Sequence, residues 1–572
     1  MNEKIRIDYD VEIPMRDGVL LRANVFGPAD DAPYPALLVR FPYVKNAYEH
    51  EWGKLNPLYF ARAGYRVVLQ DCRGTGNSDG DMDFDRLCQG ADGYDTVEWL
   101  AAQPWCDGNV GMYGLSFFGF TQLLTAETRP PHLKTICPWQ QSGLPRYYGG
   151  FTTGSLHLMW LLQRVQHRLQ NGRSGFDKEQ AAQLLNQVQG YLDDFAGCLM
   201  YAPEAENPAA FIPGLPVLED YARRLREYDD PNGPIREGRP IAFENIDIPC
   251  FFLGGWYDET SKNGPIENWQ AIAQTPMGAQ KLKHCKMVMG PWNHGDKMPD
   301  TVGERSFGAN AGLPYGHSIP DMLLRWFDYH LKGLDNGVQD EAPVALFTMG
   351  TNEWRYEHSW PLPDTKLSYY LHSDGAAASS LTSGRLDRHV PDNEPDDLFL
   401  ADPNKFVPFR AAGISAECQN QISLEARPDV LTYTSEVLDT DLNVTGEVTA
   451  ELYISSSCPD TDFVCKLTEV YPDGRSLNIT DGAVRASYNN TYTRRLLEQG
   501  ETRKLLVYMG NTCNVFKKGN RIRLDIAGSG FPKYDRNHNV AARIGTSAQT
   551  QVAENHVYHD AVRASKLVLP IV

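Results

Sequence analysis

The run Asn109-Val110-Gly111-Met112-Tyr113-Gly114-Leu115-Ser116-Phe117-Phe118-Gly119 is where this chain could do chemistry. It reads as a short apolar strand, a tight glycine-bounded turn with a serine at its tip, and the start of a helix. A serine on such a strand-to-helix elbow exposes its hydroxyl beside helical N–H groups. That suits a nucleophile, because a developing oxyanion finds donors already in place. Gly-x-Ser-x-x-Gly by itself is equally the signature of an ordinary turn serine, so the weight falls on its partners.

A serine nucleophile needs a general base, and the base needs an orienting carboxylate. Phe251-Phe-Leu-Gly-Gly-Trp-Tyr-Asp258 is an apolar strand running into a loop with an aspartate at its end. Val288-Met-Gly-Pro-Trp-Asn-His294 has the same form and ends in histidine. Ser116, Asp258 and His294, each after a strand, follow the chain order of an α/β-hydrolase triad. Taken singly, Asp258 is also a candidate helix N-cap and His294 an ordinary loop histidine. The backbone N–H of Phe117 supplies one oxyanion donor, and a second is needed. Tyr43, in Phe41-Pro42-Tyr43 after an early strand, either packs in the core or lends its hydroxyl to that task.

Other motifs point elsewhere or nowhere. Asp71-Cys72-Arg73-Gly74-Thr75-Gly76-Asn77-Ser78-Asp79-Gly80 follows a strand like a dinucleotide loop, but Asp79 stands where a third glycine belongs and no helix clearly opens. A tight structural loop near the nucleophile is the better reading. His284, Cys285 and His294 do not share a helix face, so no metal site is expected, and triad chemistry needs no cofactor. The formal net charge of −19 argues against nucleic acid and anionic membranes. No basic leader precedes an apolar run, and no apolar segment approaches the roughly 20 residues that span a bilayer. Eleven cysteines without a Cys-x-x-Cys pair fit reduced, mostly buried thiols, and with them a cytoplasmic location.

These residues must be positioned by a larger frame, and 572 residues allow two or three domains. Val11–Met15 and Val19–Phe26 flank the hairpin signal Asp17-Gly18. Buried strands at Ala36–Phe41, Arg66–Gln70, Val110–Tyr113 and Leu133–Cys137 then alternate with helices at Leu58–Ala63, Asp92–Gln103 and Phe117–Thr125. Alternation of this kind predicts a parallel sheet covered by helices. Around Leu144 the rhythm gives way to helical spacing as far as Ala242, read as a cap over the active-site end. Strands resume at Cys250–Gly254 and Lys286–Gly290, and a helix at Ile319–Leu331 closes the domain. Beyond it, short alternating runs and turns predict a sandwich or jelly roll.

Taken together, the motifs resemble the cocaine esterase and X-prolyl dipeptidyl-peptidase (CocE/NonD) family of serine hydrolases. The resemblance rests on Pro14-Met-Arg-Asp-Gly18, Phe41-Pro-Tyr43, Asp71-x-Arg-Gly74, Trp105 to Gly114, Gly254 to Asp258 and Gly290 to His294. It continues through Asp460-Thr-Asp-Phe463, Tyr471 to Arg475 and Phe531 to Asn537, nearly the whole chain. It implies an α/β fold: an α/β-hydrolase core in two parts, residues 1–143 and 243–341, a helical cap at 144–242 and a C-terminal β jelly roll at 342–572. It also implies Ser116 as nucleophile, Asp258 and His294 completing the triad, and Tyr43 with Phe117 as the oxyanion hole. Family members commonly carry tyrosine after the nucleophile, so Phe117 loses that hydroxyl but keeps the backbone donor.

The resemblance also implies a substrate pocket shaped by the start of the cap, which carries Tyr147, Tyr148, Phe151 and Trp160. Three substrate classes compete: simple or aromatic esters, α-amino acid esters and β-lactam side-chain amides, and dipeptides ending in proline. The last two need a carboxylate for a substrate ammonium, which Glu204, Glu206, Glu219, Asp220, Asp229 or Asp230 could supply, although a solvated face is the favoured reading of that run. An esterase or acylase is preferred to a peptidase. The rival from another class is a non-catalytic binding protein on a hydrolase scaffold, against which the intact triad speaks. The expected partner is a small ester or amide substrate, and a homo-oligomer is left open.

Overall fold

A computed structural model of the chain describes residues 4–46, 56–81, 88–141, 154–170, 176–212, 241–258, 263–295, 297–378, 381–410, 418–489 and 493–572, with single positions at 215, 218 and 261. Among these described residues the first part is a ten-stranded sheet. The strands are β1 (Ile5–Pro14), β2 (Leu20–Pro28), β3 (Tyr34–Phe41), β4 (Arg66–Asp71), β5 (Cys106–Leu115), β6 (Leu133–Trp139), β7 (Phe251–Tyr257) and β8 (Lys286–Asn293). After a small ribbon of β9 (Thr301–Val302) and β10 (Arg305–Ser306) come β11 (Val344–Thr348) and β12 (Glu353–Glu357). The spatial order is β1-β2-β4-β3-β5-β6-β7-β8-β11-β12. From β4 through β3 to β11 every pair is parallel; β1, β2 and β12 are antiparallel additions at the edges.

The parallel strands are apolar runs because both faces of this sheet are covered. In β3, Leu37, Val39 and Phe41 enter one core, while Ala36 and Leu38 enter the other. The connecting helices are α1 (Pro57–Arg62), α2 (Cys88–Ala101) and α3 (Phe117–Glu127). α9 (Ile319–Lys332), numbered after the helices described below, is stopped by Gly333 in the left-handed region at φ 67° and lays Met322, Leu323, Trp326, Phe327 and Leu331 on the sheet. Trp326 Nε1 donates to Thr135 Oγ1 on β6 at 2.8 Å, which satisfies the indole in the core.

Between β6 and β7 the chain leaves the sheet for α4 (Gly154–Gln170), α5 (Lys178–Asp193) and α6 (Phe195–Met200). These have an apolar core of their own, including Leu158, Leu161, Leu162, Val165, Leu169 and Val188. α5 opens on a capping box, Asp177 with Gln180. After β7 come α7 (Gly264–Ala273) and α8 (Gly278–Leu282). No helix among the described residues is long and apolar enough to cross a membrane. Ten of the eleven cysteines are buried, and all eleven are free thiols.

The change of pattern at residue 342 reads in the sequence as the start of the β-rich domain, with the helix before it closing the first. The pairing corrects this: β11 lies parallel to β8, and β12 is antiparallel to β11, so the first sheet runs on to Glu357. A strand-turn-strand unit at a sheet edge has the same local pattern as a sandwich hairpin, and only its partner strand distinguishes them. Among the described residues the C-terminal β-rich domain then holds eleven strands, β13 (Thr365–His372), β14 (Arg385–Asp387), β15 (Asp397–Ala401), β16 (Val430–Ser435), β17 (Leu442–Ser456), β18 (Asp462–Val470), β19 (Ser476–Arg485), β20 (Arg503–Phe516), β21 (Arg521–Ala527), β22 (Ala553–Tyr558) and β23 (Lys566–Ile571). They form one connected sheet, with β20 paired along the long strand β17.

The two sheets share one apolar core, in which Phe307, Phe347 and Met349 meet Leu467 and Met509. A buried cation pins them. Arg305 of β10 donates to Asn514 Oδ1 at 2.9 Å, lies 3.6 Å from Glu469 Oε2 and stacks on Phe307. Removing one partner of a buried pair strands the other, at roughly 3–5 kcal/mol. Arg305→Leu should therefore lower the midpoint of thermal unfolding by several degrees. Arg475→Leu, which breaks a half-exposed pair with Asp473, should leave it nearly unchanged. Equal melting of the two variants in differential scanning calorimetry would show that the Arg305 pin is dispensable.

Candidate active site

Ser116 sits between the end of β5 and the first residue of α3, with φ 56° and ψ −125°. A positive φ at a serine is strained, and it persists only where neighbouring bonds fix it. Ser116 N donates to Trp139 O at 2.8 Å, and Phe120 N donates to Ser116 O at 3.0 Å to open the helix. Beneath the turn the buried Gln122 amide donates to Gly114 O and Phe118 O at 3.2 and 3.0 Å, and its oxygen accepts from Cys137 N at 2.9 Å. Gly114, at φ 139°, leaves room that a side chain would deny: a Cβ there would come within 2.6 Å of Phe118 Cβ. The serine itself is half-buried among buried neighbours.

Asp258 and His294 leave adjacent strands at the same level, because Tyr257 of β7 is paired with Asn293 of β8. Asp258 is fully buried and the His294 side chain is 8% exposed, with Nδ1 3.0 Å from Asp258 Oδ1. A carboxylate only accepts, so Nδ1 carries the proton and Nε2 is left with the lone pair of a base. Ser261 adds two bonds to the carboxylate: its N–H donates to Oδ1 at 3.0 Å and its Oγ to Oδ2 at 2.6 Å. The cap-like role considered for Asp258 is thus met in part, by a local turn rather than by α7, whose N-cap is Asn263.

The β-rich domain holds both ends of the Asp258 loop. Tyr257 Oη donates to Asn478 O at 3.2 Å, and Asn511 N donates to Asn263 Oδ1 at 2.9 Å. Burial pushes the Tyr257 hydroxyl well above its usual pKa, which keeps it a donor.

Tyr43 follows β3 and lies against α3, its ring edge-on to Phe118 at 5.9 Å. Phe117, buried, is the first residue of that helix. The Asp71 loop fastens this side of the site. Asp71 Oδ1 accepts from Lys45 N at 2.7 Å, and Oδ2 accepts from Lys45 Nζ at 2.9 Å and Asn77 N at 2.8 Å. Lys45 is two residues past Tyr43 and fully buried, so this pair anchors the Tyr43 loop to β4. The loop's N–H groups at Gly74, Thr75, Asn77 and Ser78 are all spent on partners inside the loop itself. That favours the structural reading over a phosphate cradle.

The structure therefore sets Ser116, Asp258, His294, Tyr43 and Phe117 at the C-terminal ends of β3, β5, β7 and β8. Tyr147, Tyr148 and Phe151 lie outside the described residues. Trp160 belongs to α4, and the pocket role read for its side chain lies outside what is described. Among the described residues no group of three or more His, Cys, Asp or Glu side chains could hold a metal ion. Sequence reading missed Ser261, Lys45 and Gln140. Ser261 carried a faint signal, three residues after an acid as in a capped turn; Lys45 and Gln140 carried none, since their partners are remote in the chain.

The profile of the X-Pro dipeptidyl-peptidase (S15 family) matches residues 17–296, and that of the X-Pro dipeptidyl-peptidase C-terminal non-catalytic domain matches residues 336–568. A cocaine esterase from Rhodococcus sp. (strain MB1 Bresler) is 34% identical, over 98% of both chains. An aminopeptidase from a marine sediment Thaumarchaeota archaeon superposes with TM-score 0.75 at 22% identity, covering 100% of this chain and 97% of that one. An α-amino acid ester hydrolase superposes with TM-score 0.73 at 22% identity, covering 99% and 97%. At that identity the two structures show the shared fold, while the esterase carries the kinship. The chain belongs to the cocaine esterase and X-prolyl dipeptidyl-peptidase (CocE/NonD) family, and is a serine hydrolase of ester or amide bonds.

Proposed function

We propose that the chain hydrolyses small carboxylic esters by a two-step acyl-enzyme route in which Ser116 is the nucleophile, His294 the general base and Asp258 its orienting carboxylate. The observation that carries this reading is the buried Asp258–His294 pair at 3.0 Å, on the sheet whose β5 ends in the strained elbow of Ser116. Ser116 Oγ attacks the ester carbonyl while His294 Nε2 takes its proton. The imidazolium is stabilised by Asp258, and the tetrahedral oxyanion is held by the Phe117 N–H and the Tyr43 hydroxyl. Collapse expels the alcohol with the proton from His294, and water then releases the acid by the same steps in reverse roles. In this reading residues 144–242 cap the site, and the β-rich domain is a jelly roll that backs it.

The preference for esters is supported by likeness to an esterase along 98% of the chain. A second reading, cleavage of X-Pro dipeptides or of α-amino acid esters and amides, is favoured by the S15 profile. It requires a carboxylate for the substrate ammonium. Of the acids considered, Glu204 faces the β-rich domain, 3.1 Å from His538 Nε2 and 3.6 Å from Arg536, and Glu206 is exposed. Glu219, Asp220, Asp229 and Asp230 lie outside the described residues.

A fluorophosphonate probe should label the wild-type protein and fail to label Ser116→Ala; labelling of that variant would end the nucleophile assignment. Tyr43→Phe keeps the ring against Phe118 and removes only the hydroxyl. It should lower kcat about 10²–10³-fold with little change in KM, as for loss of one oxyanion donor; a wild-type kcat would remove Tyr43 from the oxyanion hole. Against a panel of p-nitrophenyl esters, aminoacyl amides and Gly-Pro amides, the simple esters should give the highest kcat/KM. Preference for amides bearing a free amine would reverse the ranking.

A further inference from the structure

The loop after β6 bonds to the backbone of Ser116, of β7 and of the residues flanking His294, and its centre is Gln140. This residue is 1% exposed and holds a left-handed backbone at φ 51°. Few side chains other than asparagine or aspartate adopt that region without a reason. The reason is a set of three bonds. Gln140 N donates to Leu253 O of β7 at 2.6 Å. Its Nε2 donates to Asn293 O at 3.0 Å, and its Oε1 accepts from Gly295 N at 2.8 Å. The one amide thus grips the backbone on both sides of His294. Gly295 has φ 137°, so the chain turns sharply just past the histidine, and the peptide N–H freed by that turn is the one Gln140 receives.

The neighbours of Gln140 extend the brace. Trp139 O accepts the N–H of Ser116, and Gln141 O accepts from Asn268 Nδ2 of α7 at 2.8 Å. Ser116 leaves β5 and His294 leaves β8, with β6 and β7 between them, so a span of about three strand spacings, ~14 Å, separates the two strand axes. The loop from Trp139 to Gln141 lies in that span and fixes the serine backbone at one end and the histidine backbone at the other.

We propose that Gln140 is a positioning residue for hydrolysis, an amide clamp that sets where the His294 imidazole stands relative to Ser116; this rests on His294 being the base. The side chain reaches the backbone of residues 293 and 295 and not the reacting atoms, so its effect is on geometry. Misplacing a base by about 1 Å can cost on the order of 10²-fold in rate.

Gln140→Leu removes both side-chain bonds. Gln140→Gly removes them as well but accepts the left-handed backbone, which protects against simple misfolding. Each should lower kcat about 10–100-fold with KM within about twofold of wild type, at an unchanged count of fluorophosphonate-labelled serine per chain at end point. Gln140→Glu keeps the acceptor for Gly295 and places a carboxylate beside the base, so the acidic limb of its kcat/KM profile should move to higher pH. A merely structural role would lower the labelled fraction or the melting point without moving that limb. Wild-type kcat in both Gln140→Leu and Gln140→Gly, beside an inactive His294→Ala, overturns the clamp alone. Wild-type activity in His294→Ala overturns the base assignment and the clamp with it.

Discussion

Parallel pairing of β7 with β8, in the register that sets Tyr257 opposite Asn293, is the constraint on which the site depends. In a parallel ladder neighbouring strands end on the same side about 4.8 Å apart, so residues one step beyond a paired position emerge together. Asp258 and His294 are those residues. A slip of one residue in this register would turn every side chain of β8 to the opposite face and part the two. The register is secured by apolar side chains buried on both faces of both strands, Phe252 and Met287 on one and Leu253 and Val288 on the other. Packing of methyls and rings therefore fixes where a proton is held.

Around that pair the protein tolerates backbone strain at two points, Ser116 and Gln140, each with positive φ. Strain of this kind costs on the order of 1–3 kcal/mol per residue and marks places where geometry is imposed by the surroundings. Here the two are joined through the Trp139–Gln140 segment, since Trp139 O receives the Ser116 N–H. Side-chain amides supply much of the imposed geometry: buried Gln122 under the elbow, buried Gln140 at the histidine, and half-buried Asn263 at the end of the acid loop. Each offers donor and acceptor on one short stem without the desolvation penalty of a charge.

The β-rich domain belongs to this scaffold although its family profile is that of a non-catalytic domain. It receives the Tyr257 hydroxyl on one side of Asp258 and binds Asn263 on the other. Arg305 and a core continuous between the sheets hold the two parts in place. On the opposite flank the buried Asp71–Lys45 pair ties the Tyr43 loop to β4. The acid loop and the Tyr43 loop are thus supported from outside, from different parts of the chain.

Local patterns along the chain were enough to place the elements and the reactive residue types. Ser116, Asp258 and His294 each close an apolar run or open a helix, and such local patterns are written within about ten residues. The α/β core, the helical insertion and the β-rich part were legible for the same reason. Folding in three dimensions settled what depends on partners far apart in the chain: that β11 and β12 belong to the first sheet, that Lys45 pairs with Asp71, that the β-rich domain holds the Asp258 loop, and that Gln140 grips residues 293 and 295. A hydrogen bond between remote residues, from 26 positions apart for Lys45 and Asp71 to 221 for Tyr257 and Asn478, leaves no periodicity and no motif in either segment, because its geometry exists only once the sheet has brought them together.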